Sequence, residues 1–521
     1  MIIKKQTHKI DFLKKIQKLF YKLIFIIGAM TLALIIFLIT YYYNSGMQQR
    51  FKPYALVKKI DKIILEKYLG FSIFEIDDYI NIKITSLKYI FIKNEFNYVT
   101  IKIDQKNLYN LELQRNNKIN KSSQQFENFS TAILKKDEKN YDIKLRVKGD
   151  RVLHWYDKDQ TSYKIDLRGD NRIWGLEEFS IQKPITRNYI YEYIFHKLLR
   201  TNDLISLKYF FINLSINDTE QGIYAVEEGF SKELIERNKK RNGPIFGLDE
   251  KMGTEYPLIE YDLYSEQFWM NNYPELTNIA LSKLNSLKQK KTSVNEIFDL
   301  EKWATFFAVI DLSQMLHGSL SKSVKLYYNP VTGKFEPIGF DGHYNPNLFN
   351  DFLIIDFMDQ DNINCSYICN DRSWYLNFFK KKDGSNNKEF LNLYMNALKK
   401  IASQNFLDSF IKNHYDEIEN TNSQLLSENS KKDLNYYKGI GSYMFNKDFL
   451  YERSKYINKR LYKLINAKNS HGGSDEYSPK TLDLLKDKNV EYLNGEYFLT
   501  KDLIIENSYH LSKNKKLNTN E

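Results

Sequence analysis

Cysteine is nearly missing from this chain, with two in 521 residues. That excludes a disulfide-stapled scaffold and a cysteine-based zinc module. Proline and glycine are also sparse, at nine and 21, which excludes a low-complexity or disordered chain. No P-loop, dinucleotide glycine fingerprint, HExxH zinc motif or GxSxG elbow occurs. The common nucleotide, metalloprotease and serine-hydrolase signatures are therefore absent. What the chain has instead is apolar bulk: 42% hydrophobic residues, with 39 Tyr and 34 Phe. That is enough for two to four cored domains of about 100–200 residues each.

The formal net charge of +11 invites a nucleic-acid reading, but its distribution argues against one. Lys4, Lys5, Lys9, Lys14, Lys15, Lys18 and Lys22, offset by Asp11, put +6 into residues 1–22 and leave +5 for all the rest. The remainder mixes Lys with Glu and Asp, the pattern of an ordinary solvated surface.

Directly after the basic tail, 21 residues from Leu23 to Tyr43 carry no charge. A helix of that length crosses a hydrocarbon core of roughly 30 Å. Tyr41, Tyr42 and Tyr43 close it as an interfacial cluster would. A cleavable signal peptide has a shorter apolar region, about 7–15 residues, and a small-residue cleavage site that is not evident here. Residues 23–43 are expected to be a single transmembrane helix. The lysines before it place the amino terminus in the cytoplasm and the main body outside it. There Cys365 and Cys369 would meet an oxidising space, and either a local disulfide or two neighbours on one helix face fits their spacing.

The periodicity predicts a helix over 55–68 and strands over 79–84, 88–93 and 98–103, with an Asn- and Ser-rich loop at 116–128. Strands at 142–148 and 162–168 precede a helix over 187–200. A hairpin over 207–214 and 222–227 turns at Asn217-Asp218, and a helix covers 231–240. A helix over 303–316 leads to a second hairpin, 324–328 and 335–340, joined by Asn329-Pro-Val-Thr-Gly333. Helix-rich stretches at 389–427 and 446–467 close the main body. His471-Gly-Gly-Ser-Asp475 reads as a linker, and 490–505 as short strands resembling one rung of a β-helix. The expected division is a basic tail (1–22), a membrane helix (23–43) and a mixed α/β region (44–140). A main domain (141–470) and a short β-rich tail (471–521) follow.

Lys144, Arg146 and Lys148 occupy every second position of Ile143-Lys-Leu-Arg-Val-Lys-Gly149, alternating with Ile143, Leu145 and Val147. That is the period of a half-buried strand with three cations on its open face. Like charges in a row repel, so an anionic ligand or acidic neighbours must answer them. Lys164 and Asp166 share the polar face of the following strand. Downstream, His317, Asp341 and His343 flank the second hairpin, where they could ligate a metal or serve as ordinary hydrogen-bonded groups.

These pieces follow one another in a definite order. Lys148-Gly149-Asp150 precedes Ser162-Tyr-Lys-Ile-Asp166, Gly175-Leu-Glu-Glu-Phe-Ser180 and Pro184-Ile-Thr-Arg-Asn188. Then come the hairpin strand Gln221-Gly-Ile-Tyr-Ala-Val-Glu-Glu228 and the stretch Tyr327 to Asp341. The succession resembles the CotH kinase (spore-coat protein H-like) family over about 141–345, and loosely to 467. The resemblance implies an α+β, atypical protein-kinase-like bilobal domain using ATP and Mg²⁺ or Mn²⁺. It further implies that Lys164 contacts phosphate, that Glu228 holds that lysine, with Glu227 competing for the role, and that Asp341 binds metal. Arg146 and Lys148 would join Lys164 on the nucleotide. The chain departs from the family pattern in three places. His343 stands for a second aspartate, Phe340 for a tryptophan, and the segment His317 to Ser323 lacks a carboxylate.

Three expectations follow. The chain is a membrane-anchored kinase acting on protein Ser/Thr; or a catalytically degenerate envelope protein holding an anionic ligand, protein or polysaccharide on its basic face; or a structural assembly protein.

Overall fold

The computed structural model describes residues 92–119, 128–149, 152–155, 161–248, 261–321, 323–344, 352–358, 372–429 and 448–466. These fall within one compact unit, Tyr89–Lys431 with Tyr443–Glu521. The expected membrane span at 23–43, the elements before 92, Cys365, Cys369 and the tail after 470 lie outside the described residues. Among the described residues, no helix is long and apolar enough to cross a membrane.

Alternating apolar residues build a closed barrel in the order β1-β2-β3-β4-β5-β7-β6. Its strands are β1 (Tyr98–Lys102), β2 (Ser130–Lys136), β3 (Lys139–Val147), β4 (Tyr163–Leu167), β5 (Glu178–Gln182), β6 (Tyr209–Ile216) and β7 (Thr219–Glu228). All neighbours are antiparallel except β1 and β6, whose parallel pairing closes the barrel. Ile143, Leu145 and Val147 of β3 point inward with Ile165, Phe179, Ile181 and Val226, all nearly solvent-free. Each such side chain contributes about 1.5–3 kcal/mol of burial. Because side chains alternate along a strand, Lys144 and Arg146 are left on the outer face. Helix α1 (Gln105–Ile119) lies on the barrel through Leu111. The barrel begins at residue 98 and so runs through the expected boundary at 140.

The rest is a helical layer with a second, four-stranded sheet of order β11-β10-β8-β9. Its strands are β8 (Ile245–Leu248), β9 (Tyr261–Leu263), β10 (Lys325–Asn329) and β11 (Lys334–Ile338). Helix α2 (Ile190–Thr201) packs on the outer face of the β6–β7 hairpin, where Tyr209, Phe211 and Ala225 join the helical core. Helix α3 (Leu300–Ser313) is buried on nearly all sides, as an almost uniformly apolar helix should be. Beside it stand α4 (Lys388–Ile401) and α6 (Phe449–Asn466), with α5 (Gln404–Asn429) packed on α2. The fold is α+β.

Candidate functional site

The outer barrel face is a charged ladder set by strand register. Lys144 lies opposite Asp166, which lies opposite Glu178. Arg146 lies opposite Lys164, then Ser180, then Glu227 and Tyr209. Acidic neighbours therefore answer the cations of β3 and β4. The Lys164 ammonium is 3.1 Å from Glu178, and both remain partly exposed. Burial raises the Asp166 carboxyl, although Lys164 beside it pulls the other way.

At one end the ladder dives into the seam with the helical layer. Lys148 follows β3, and its ammonium pairs with Glu227 and lies 3.0 Å from the Gln182 side-chain oxygen. Gln182 donates to the other Glu227 oxygen at 3.0 Å. Gly149 makes the turn beyond with φ of 86°, where any Cβ would collide with the His154 ring. Burial pushes the Lys148 ammonium down, more than Glu227 raises it.

Arg187 ends the 3₁₀ turn Pro184–Arg187 that leads into α2. Its Nε donates to Glu227 at 3.0 Å and its Nη1 lies 2.7 Å from Asp341 Oδ1. Its guanidinium also stands 5.3 Å from the centre of the Phe340 ring. Asp341 follows β11, and its carboxylate contacts His343 Nε2 and lies 3.5 Å from His317 Nδ1. Burial alone would raise the Asp341 carboxyl, but Arg187, His343 and His317 hold it well below its ordinary value. A continuous chain results: Lys148, Glu227, Arg187, Asp341, with the two imidazoles at its end.

Of the residues expected at the site, Lys148 and Asp341 meet here through Arg187 and Glu227. Arg146 and Lys164 are neighbours on the outer barrel face, with Lys164 paired to Glu178. Glu228 points elsewhere: it pairs with Arg237 and accepts the Lys208 backbone N–H. One residue of register separates it from Glu227, and that residue reverses the face. Glu227, the competing acid, holds a site lysine, and that lysine is Lys148. Sequence reasoning passed over Arg187, Gln182 and Glu192. The only signal for Arg187 was its place in the Pro184 to Asn188 segment.

The cations here are already paired with Glu178, Glu227 and Asp341, and the site offers few of the oxygen ligands that Mg²⁺ asks for in its near-octahedral shell. The metal-capable group among the described residues is His317, Asp341 and His343, one carboxylate with two nitrogen donors. No protein among the curated sequences matches the chain. The CotH kinase protein family model matches residues 145–457, a span that contains Arg146, Lys148, Lys164, Glu227, Arg187 and Asp341. The chain belongs to the CotH kinase protein family.

Proposed function

We propose that the chain is an atypical, kinase-like phosphotransferase that takes ATP at this seam and transfers its terminal phosphoryl group to a protein Ser or Thr hydroxyl. The observation that carries the reading is the buried chain from Lys148 through Glu227 and Arg187 to Asp341. Kinase folds present a strand lysine to nucleotide phosphates by holding it on a glutamate, and place a metal-binding aspartate across from it. The barrel then corresponds to one lobe and the helical layer to the other. Lys148 is the held lysine and Glu227 its holder. Arg146 and Lys164 add positive charge along the open face, where spread phosphate charge gains most from fixed cations. A divalent ion supplies charge neutralisation on the phosphates in such reactions, and Asp341 is the carboxylate available to it.

A second reading has its own support. The segment from His317 to Ser323 carries no carboxylate to take a proton from an attacking hydroxyl. On that reading the same cations hold an anionic ligand, such as an envelope polysaccharide, without chemistry. Membrane anchoring through residues 23–43, with the body outside the cytoplasm, belongs to both readings and gives the second one weight, because ATP is scarce there.

Thermal melting of the full chain with ATP and a divalent ion tests the proposal, together with phosphoryl transfer from labelled ATP. ATP should raise the melting temperature by a few degrees through linkage. Lys148→Met should abolish that rise, and Glu228→Gln should leave it intact. No shift at millimolar ATP sinks nucleotide binding. A shift without transfer to any protein hydroxyl, the chain's own included, favours the second reading.

A further inference from the structure

We infer that His317, Asp341 and His343 form a site for a nitrogen-preferring transition ion, of the Zn²⁺ or Co²⁺ class, and that this chain has departed from oxygen-bound Mg²⁺. One ligand atom from each residue falls in a group no wider than 4.8 Å. Tetrahedral ligands on one ion at bonds of about 2.1 Å lie about 3.4 Å apart, so side-chain rotations that close the group by somewhat more than an ångström complete the set.

The residues are held for this arrangement from several directions. His317 sits in the 3₁₀ turn Leu316–Ser319 behind α3. Its Nδ1 lies 2.8 Å from the Asp341 carbonyl oxygen. A carbonyl only accepts, so Nδ1 carries the hydrogen and Nε2 the lone pair. Metal-binding imidazoles are oriented in this way, by an N–H given to a carbonyl or carboxylate outside the ligand set. His343 is anchored on Asp341 Oδ1, the oxygen that Arg187 also holds, Arg187 Nη1 stands 3.4 Å from His343 Nε2, and Asp341 Oδ2 faces His317 Nδ1 at 3.5 Å. The two rings cross edge to face with centres 4.7 Å apart.

The backbone between them is fixed as well. Asp341 and His343 both take left-handed φ values, 59° and 49°, which cost non-glycine residues energy unless the surroundings impose them. What imposes them is Glu192, solvent-free on α2, whose carboxylate oxygens accept the Gly342 N–H at 3.0 and 3.2 Å. A Cβ at Gly342 would press on Glu192 and Met315 at 3.1 and 3.0 Å, so a glycine suits the middle of the turn. Around the site three carboxylates, Glu192, Glu227 and Asp341, face two fixed cations, Lys148 and Arg187. That balance admits a further positive charge. Asp341 and His343 remain 16% and 17% exposed, which leaves an ion both an entry and positions for non-protein ligands.

Two imidazoles and one carboxylate suit the later first-row ions, whose affinity for nitrogen follows Zn²⁺ and Co²⁺ above Mn²⁺, with Mg²⁺ disfavoured. The inference rests on the placement of the reactive seam given above, but its test contains no nucleotide. The full chain, stripped with a chelator, is titrated with Co²⁺ and Zn²⁺, following visible cobalt bands, bound stoichiometry and melting temperature. One ion should bind per chain at micromolar concentration, with cobalt bands of low coordination number, and millimolar Mg²⁺ should not displace it. His317→Gln and His343→Gln should each weaken binding about tenfold or more, while Lys148→Met should retain it. Absence of the bands, displacement by Mg²⁺, or undiminished binding in both histidine variants overturns the inference. Metal-free melts of the variants separate lost binding from lost folding. ATP binding without cobalt binding would sink the ion site alone, and cobalt binding without an ATP shift would sink only the nucleotide reading.

Discussion

Glu227 is the most heavily engaged carboxylate in the seam: Lys148, Gln182 and Arg187 all donate to it. Burial alone would raise its carboxyl, but Arg187 and Lys148 outweigh that and hold it at about 2. The folded state thus prefers the ionised form more than the unfolded chain does. The resulting stability is fully present above the unfolded value of 4.5 and disappears as pH falls through about 2. It amounts to roughly 3 kcal/mol at 1.36 kcal/mol per unit. Glu227→Ala should cost about 3–5 kcal/mol at pH 7, because it strands Lys148 and Arg187 without their shared counter-charge. Urea denaturation of both proteins between pH 7 and pH 2.5 checks this. The wild type should lose stability steeply below pH 4.5, and the variant should lose correspondingly less. A neutral-pH difference under about 0.5 kcal/mol, the size of an ordinary surface change, would sink the account.

At the level of elements, local pattern carried much of the fold. The alternation of β3 and β4, the β6–β7 hairpin, the apolar α3 and the β10–β11 hairpin all stand within a few residues of their expected bounds. What the pattern hid has physical reasons. Helix α1 sets Leu108 and Leu111 on the barrel but leaves Tyr109, Leu113 and Ile119 exposed, so no continuous apolar stripe announced it. The site was legible as residue types and not as pairings. Lys148 and Glu227 are 79 positions apart, and Arg187 and His343 are 156 apart. Telling which of Lys148 and Lys164, or of Glu227 and Glu228, meets Arg187 and Asp341 needs strand register that a single sequence does not supply. The same holds where α3 meets α4. Asp311 of α3 accepts the Ile354 N–H at 2.9 Å and contacts the Tyr394 hydroxyl of α4. Burial raises its carboxyl to about 7 against the pull of Arg453. Here the folded state keeps a proton that the unfolded chain releases. Stability from this group therefore grows as pH falls from about 7 towards the unfolded value of 3.8. Asp311→Asn keeps an acceptor for Ile354 and a donor for Tyr394 without the charge. It should equal or exceed the wild type at pH 8 and remove this contribution to the pH dependence between 8 and 5. Thermal melts across that range would contradict the assignment if the asparagine variant were destabilised most at high pH.

The whole molecule combines a kinase-family domain with a basic tail and an apolar run of 21 residues. Whether that run enters a bilayer decides where the seam does its work. Two arginines in its middle, Leu34→Arg with Ile36→Arg, would each cost about 2.5–3.5 kcal/mol in a spanning helix, enough to reverse insertion of a single span. The full wild-type chain should stay with membranes through alkaline carbonate extraction, and the double variant should move to the supernatant. Wild-type release under the same treatment would reject the anchor. If the anchor holds and the positive-inside rule sets its direction, protease added to sealed spheroplasts should digest the body, since seven lysines precede the run. Protection of the body would reverse the orientation and return the seam to a compartment rich in ATP. Digestion would leave it facing envelope ligands, and phosphoryl transfer would then require a donor supplied on that side.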